Sequence, residues 1–333
     1  MLVISSEHKE HSTDVVIDWL AHKGVSFIRV NGQTFERTLG QYSMCLDDDG
    51  ANFDEASFLH NGKRYDIADI DGFWFRRTRN DLSRTKAFND ANFSDEVTPI
   101  LWRHLSEERN VAKAAIFDHF KESKKLGNHR VRGLDKMETL RLARSLGLNI
   151  PTSLITGNRT RLLAFIEKHK AVITKPISEV ATYNTSELNC GIFTTSVTTT
   201  RAQELPESFH PALFQAQVEK YCELRCFFMA GEFHTMAIFS QADDKTSVDF
   251  RNYNQEFSNP TVPFALPESI KEKLTILMDR LELDTGSIDI IYTPEKKYVF
   301  LEVNPVGQFG MVSTPCNFYI EKKIAEYFTT KGQ

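Results

Sequence analysis

Apolar and polar positions alternate along this chain in two rhythms, and the switches between them predict its elements. Leu2–Ser5 is a short apolar strand. Ser12–His22 carries Val15, Ile17, Leu20 and Ala21 at mostly helical spacing behind a Ser/Thr/Asp start, and Val25–Val30 is a second strand. A strand–helix–strand opening of this kind implies a small α/β domain. Residues 40–70 suggest a β-hairpin turning at Asn61-Gly62, and Phe73-Trp74-Phe75 reads as a buried strand that runs directly into Arg76, Arg77 and Arg79. Arginines at a strand end either clamp an anion or pair with nearby carboxylates. Phe93–Leu126 is a long helical region with apolar residues at Leu101, Trp102, Leu105, Val111, Ala114, Ala115 and Phe117.

A second domain starts near Asn128. Asp135 and Glu138 have the spacing of a capping box ahead of a helix with Leu140, Ala143 and Leu146 on one face. Then come a strand at Thr152–Thr156, a helix at Arg159–His169 and a strand at Ala171–Lys175 that ends in lysine. Residues 178–191 lack periodicity and read as a mobile loop; Ile192–Thr200 reads as a Thr-rich strand. Strands are expected at Ala212–Glu219, Glu223–Ala230, Phe233–Phe239 and Val248–Tyr253, and helices at Pro267–Leu281 and Glu321–Phe328.

The most informative stretch is Gly286–Gly310. Gly286–Tyr292 and Tyr298–Asn304 are strands joined by Pro294–Lys297, a four-residue hairpin connection. Pairing Thr293 with Tyr298 sets Asp289 opposite Glu302, with Asn304 on the same face, and turns Ile288 and Ile290 into a core. The alternation also places Phe300 on the face of Glu302. Two adjacent carboxylates repel unless a cation lies between them, and a hard divalent ion with a phosphate meets that need. A solvated hairpin whose outer face carries Asp, Glu and Asn satisfies the same pattern. Asn304-Pro305, Gly307 and Gly310 then lead the chain abruptly off the sheet.

Composition narrows the classes. With 333 residues, 41% hydrophobic and 26% charged, the chain has the make-up of a globular enzyme of two or three domains. A formal net charge of -5 argues against general nucleic-acid binding. No apolar run reaches the length of a membrane span, and the N-terminus lacks a signal-peptide pattern. The five scattered cysteines read as reduced thiols of a cytoplasmic protein, with Cys222 and Cys226 as plain strand residues.

In this order, a capped helix, a lysine-terminated strand, a polar loop, a hinge strand, Glu-Leu-Arg and then Asp and Glu-x-Asn on adjacent strands resemble the ATP-grasp fold. The resemblance runs from about Asn128 to Phe328. Phe73-Trp74-Phe75-Arg76-Arg77, Glu223-Leu224-Arg225, Asp249-Phe250-Arg251 and Glu302-Val303-Asn304-Pro305-Val306-Gly307-Gln308-Phe309 are similar to motifs of graspetide (microviridin-type) peptide maturases, nearest to the grasp-with-spasm branch. The resemblance implies a mixed α/β and α+β architecture. It would comprise an N-terminal pre-ATP-grasp α/β domain (1–110), a central lobe (111–205) and a C-terminal lobe with the metal site (206–333). It implies ATP and Mg2+ as cofactors, with Lys136 and Lys175 on the phosphates and Gln215, Gln217 and Val218 of the hinge strand at adenine. Glu223 would hold the ribose, and Asp289, Glu302 and Asn304 the Mg2+. Arg225 and Arg251 would face the transferring phosphate. Many relatives have Glu where this chain has Ala216, so only backbone groups there are expected to read adenine.

The implied activity joins Asp or Glu side chains of a ribosomal precursor peptide, leader plus core, to Thr or Ser hydroxyls or Lys amines. The loop at 178–191 would cover the site, the leader would dock near the hairpin around 180–200, and the enzyme would be a homodimer. A ligase adding free amino acids to a protein or small molecule would need the same phosphate and metal groups. A non-catalytic nucleotide-binding regulator could dispense with Asn304 or Arg251.

Overall fold

The computed structural model describes residues 1–7, 9–31, 39–47, 50–60, 62–77, 94, 96–120, 123–131, 133–178, 182–184, 189–191, 194–241 and 259–329. The strand expected at Val248–Tyr253, and Arg251 with it, lies outside these. The chain divides into two compact units, Met1–Arg132 with Tyr319–Gln333, and Gly133–Phe318.

In the first unit, β1 (Leu2–Ser6), α1 (His11–His22) and β2 (Phe27–Asn31) form the expected strand–helix–strand opening. The buried residues of α1 are Thr13, Val16 and Leu20, a narrower stripe than the one read from Val15, Ile17, Leu20 and Ala21. β3 (Leu39–Asp47), β4 (Gly50–His60) and β5 (Lys63–Asp66) make an antiparallel three-stranded sheet, with His60 opposite Lys63 at the turn. β6 (Gly72–Phe75) and β7 (Lys124–Leu126) complete a parallel sheet in the order β2-β1-β6-β7. Between them runs α2 (Val97–His119). The helical reading of Phe93–Leu126 therefore overshot, because Lys124–Leu126 pairs with Gly72–Trp74 instead.

Phe73, Phe75, Phe117 and Phe120 pack with Val3, Ile28 and Val30 into one core, where Phe73 and Phe120 stack 5.2 Å apart. The C-terminal helix Ile320–Thr329 packs on α1, and Tyr327 donates to Lys125 O (2.9 Å). Gly127 closes the strand edge at φ +87°, where an added Cβ would lie 2.1 Å from Phe75 O. Gly127→Ala is expected to cost at least about 2 kcal/mol, read from the urea midpoint.

The second unit holds two larger sheets. Asp135 caps α3 (Lys136–Ser145), accepting from Met137 N and Glu138 N (both 2.9 Å), while the Glu138 side chain turns to Arg141 instead of closing the box. β8 (Ser153–Asn158), α4 (Arg159–His169) and β9 (Val172–Lys175) fall where periodicity put them. Within residues 178–191, read as a loop, β10 (Thr182–Asn184) and β11 (Asn189–Gly191) pair as a small antiparallel hairpin. The Thr-rich strand shrinks to β12 (Thr195–Ser196), because Thr198 caps α5 (Thr199–Gln203) by accepting from Arg201 N. With β13 (Ser208–Ala216) the first sheet runs β12-β9-β13-β8, and Leu162, Ile166, Val172, Ala202 and Phe214 form its core.

The second sheet joins β14 (Cys222–Met229), β15 (Glu232–Ile238), β16 (Thr261–Phe264), β17 (Thr285–Tyr292) and β18 (Tyr298–Asn304) in the order β16-β15-β14-β17-β18. α6 (Glu268–Arg280) precedes β17, and α7 (Gly310–Cys316) packs on β14–β16. Cys222 and Cys226 lie buried in β14 as free thiols, pushed by burial up to about 11 and about 12. Among the described residues, no helix is long and apolar enough to cross a membrane.

Candidate active site

The hairpin of β17 and β18 reaches the expected pairing by an unexpected route. Tyr292, not Thr293, opposes Tyr298, one step off the expected register. Thr293 N and Lys297 O close the turn instead (3.0 Å). A β-bulge between Asp289 and Ile290 then puts Leu301 out of step and restores Asp289 opposite Glu302. The same bulge moves Phe300 off the face of Glu302: it pairs with Ile290 and is 1% exposed.

The pairing of β14 with β17 sets Arg225 opposite Asp289 on the other side. Arg225 Nη1 donates to both carboxylate oxygens, to Oδ2 at 2.6 Å. Arg225 Nε is buried and has no hydrogen-bond partner among the described residues. Glu302 Oε2 lies 3.5 Å from Lys175 Nζ and 3.7 Å from Lys136 Nζ, so a strand end and a helix start deliver two ammonium groups to one carboxylate. Lys136 also donates to Pro176 O (3.1 Å).

Asn304 pairs with Ser287, two residues beyond Asp289 and Glu302 on their face. It is exposed, and its Oδ1 accepts from Val306 N (3.1 Å) and Gly307 N (3.2 Å), so it also shapes the turn. Gly307 makes that turn possible: at φ +62° an added Cβ would stand 3.0 Å from Gly286 C, Ser287 N and Phe227 Cε2.

Asp289, Glu302, Lys175 and Arg225 line a cleft that also takes in Gln215, Gln217, Val218, Lys220 and Glu223. Gln215 is 2% exposed, and its Nε2 donates to Ser153 Oγ (2.8 Å). Ala216 N donates to Thr152 O and Gln217 N to Ala171 O (both 2.9 Å), whereas Val218 N has no partner among the described residues. The next backbone donor along the hinge is therefore available to a ligand. Ile173, Ile238 and Ile291 give the cleft apolar walls that sequence reasoning did not single out.

It also missed Lys220. Lys220 Nζ donates to Glu223 Oε1 (2.5 Å), which Ser240 Oγ also reaches (2.9 Å). A lysine three residues before a glutamate was the available signal. Burial raises the Glu223 carboxyl above its ordinary 4.5, against the opposing pull of Lys220 and Ser240. Lys220→Met would leave Glu223 buried without its cation, costing about 3 kcal/mol at pH 8. Without its cation the folded Glu223 carboxyl titrates higher still, so that loss should shrink as pH falls through the variant's folded pKa and vanish below the wild-type one. Thermal midpoints across pH 4–8 would show the trend; a flat difference from wild type would sink it.

The donor chemistry fits a hard divalent ion at two positions. Asp289 and Glu302 are adjacent carboxylates on neighbouring strands, balanced by lysines and an arginine that a phosphate could draw away. Asn304 would have to exchange one of its two backbone donors for the ion.

No family model matches this chain, and no curated protein does. Solved structures do match over nearly its whole length. The macrocyclase MdnC of Microcystis aeruginosa MRC, bound with precursor peptide MdnA, is 23% identical with a TM-score of 0.76, covering 99% of each chain. A RiPP-associated ATP-grasp ligase of Chryseobacterium gregarium, in complex with ADP and a leader and core peptide, is 23% identical with a TM-score of 0.78, over 98% of this chain and 94% of that one. The chain has the ATP-grasp fold. The ATP-grasp ligase PsnB, complexed with a phosphomimetic variant of its minimal precursor, Mg and ADP, is 16% identical with a TM-score of 0.69, over 98% of this chain and 97% of that one. In this fold Lys175, the Gln215–Val218 segment and the carboxylate pair line one cleft within Gly133–Phe318, with Lys136 beside Glu302.

Proposed function

We propose that this chain is an ATP-dependent peptide macrocyclase that condenses Asp or Glu side chains of a precursor peptide with Thr or Ser hydroxyls or Lys amines. The observation that carries the reading is the convergence of Lys136 and Lys175 on Glu302, beside the Arg225–Asp289 pair. Solved structures similar to this chain support the substrate class: MdnC is bound with a precursor peptide, and the Chryseobacterium ligase and PsnB are bound with peptide and ADP.

The roles follow from charge and place. Lys136 and Lys175 bind the ATP phosphates; Val218 N and the hinge at Gln215 and Gln217 meet adenine between the isoleucine walls; Glu223 takes the ribose. Asp289, Glu302 and Asn304 hold Mg2+, which when bound screens the negative charge of phosphates and carboxylate. Arg225 and Arg251 neutralise the transferring phosphoryl group, and the buried Nε of Arg225 is a donor that an incoming oxygen can satisfy. A peptide carboxylate oxygen attacks the γ-phosphorus, ADP leaves with the electron pair of the broken P–O bond, and an acyl phosphate results. The hydroxyl or amine then attacks the acyl carbon, phosphate departs and the nucleophile loses its proton, so each crosslink removes one water overall.

The hairpin of β10 and β11 is the proposed leader-docking element. A homodimer suits the exposed apolar side chains of α2, among them Ile100 and Val111, and a cytoplasmic location suits the buried free thiols.

A macrocyclase implies a short Thr- and Glu-rich reading frame beside the gene, and intact mass spectrometry of the peptide it encodes, incubated with the protein, ATP and Mg2+, tests the reading. Loss of one water mass per bond is expected. A mass gain matching added residues would move the activity to an amino-acid ligase, and an unchanged peptide would refute the macrocyclase assignment.

A further inference from the structure

The carboxyl edge of the parallel sheet in the first unit carries a second cluster of charge, remote in sequence from the nucleotide residues. From β1 the chain crosses through α1 to β2 on one side, while β6 pairs on the other, so β1 and β6 flank the point where strand order reverses. Open α/β sheets bind ligands outside the carboxyl ends of strands at such a point. Here β6 runs out into Arg76 and Arg77, whose backbone N–H groups both bond Ser5 O at the end of β1 (2.8 and 3.3 Å).

Arg76 is 3% exposed, and its Nε donates to Glu10 Oε1 (3.1 Å). Arg77 Nε lies 3.4 Å from that same oxygen. Glu10 Oε2 is taken by Thr13 Oγ1 (2.9 Å), so the two guanidiniums share one carboxylate oxygen. Arg29, on β2 at the same edge, differs: Asp14, Ser6 Oγ and Glu7 O all accept from it. The Arg77 side chain has Glu10 as its only ion-pair partner among the described residues and is 31% exposed. Burial pulls Arg76 down to about 10, helped by Arg77 and opposed by Glu10. Two like charges, one of them buried, thus lie against Glu10 at this strand end.

We propose that Arg77, held in place by Arg76 and Glu10, is a specificity-determining residue that binds an acidic side chain of the peptide substrate. The inference rests on the macrocyclase reading for its choice of peptide. A carboxylate is favoured over phosphate because a single accessible guanidinium matches the two oxygens of one carboxylate. Arg76 and Glu10 act as positioning residues for the part-exposed Arg77 side chain, whose Nε is buried without a hydrogen-bond partner among the described residues and is a donor that an incoming carboxylate could satisfy.

The full chain, labelled with 15N-arginine, permits a test that does not depend on catalysis. The Nε–H resonance of Arg77, assigned by its disappearance in Arg77→Lys, is followed as acetyl-Glu-Thr-Glu-amide is added. Parallel arms use acetyl-Gln-Thr-Gln-amide and inorganic phosphate. A saturable shift with the acidic peptide and none with its glutamine counterpart is expected. No saturable shift, an equal response to the glutamine peptide, or saturation by phosphate at lower concentration would each overturn the proposal. With a crosslinkable peptide, Arg77→Gln should raise KM by about tenfold, more than it lowers kcat. A chain that forms no crosslink yet shows the saturable shift would keep the carboxylate site and refute only the macrocyclase reading.

Discussion

Replacing Glu302 with glutamine is expected to lower crosslinking turnover by at least about 100-fold while leaving ADP affinity within about threefold of wild type. The two effects separate because Glu302 stands between two kinds of partner. On one side are Lys136 and Lys175, at 3.7 and 3.5 Å, which a nucleotide's phosphates would also engage. Glutamine keeps the shape but removes the charge that holds the ammonium groups, so those groups remain free to meet a diphosphate. On the other side is Asp289, directly opposite across the hairpin. On the proposed metal assignment, a hard cation would lose a charged oxygen ligand without the second carboxylate, and the charge of the transferring phosphoryl group would go unscreened. Calorimetric titration with ADP and intact mass of the peptide report the two quantities. If ADP affinity and turnover fall together, Glu302 serves nucleotide binding alone.

The sequence made some of this arrangement legible and concealed the rest. Elements with strong periodicity were readable nearly to the residue, as in α4 and β9, since local patterning suffices there. The Asp289–Glu302 pairing was readable for a mixed reason. A misplaced turn and an unforeseen bulge each moved the register by one residue, in opposite directions, and the pair survived both. Phe300, which felt only the turn's displacement, ended on the other face. Bulges carry no fixed sequence signature, so alternation alone could not have placed Leu301.

The meeting of Lys136 and Lys175 at Glu302 was beyond local pattern altogether. These residues come from a helix start, a strand end and a strand more than 120 positions further on, and only tertiary packing joins them. Lys220 could have been suspected from its spacing to Glu223, but nothing local said that both would be buried.

Arg225 offers the sharpest test of the metal assignment, because its partner Asp289 is expected to serve two cations. Their side chains are 11% and 17% exposed, so removing the guanidinium takes a cation away from a largely buried carboxylate. Arg225→Met is expected to lose about 3 kcal/mol of stability, and adding Asp289→Asn should restore most of it, giving a positive coupling in the double-mutant cycle. Crosslinking should fall at least about 100-fold in both variants, since each lacks the cation proposed to face the phosphoryl group. Mg2+ discriminates between them. If Asp289 binds the metal, then in Arg225→Met it can take a divalent ion in place of the arginine, and millimolar Mg2+ should raise the melting temperature by mass action on the folded state. In the double variant an asparagine stands in that place, and the same Mg2+ should raise it far less. Equal shifts in the two proteins would mean that Asp289 does not bind the metal, and the arginine pair would then be structural.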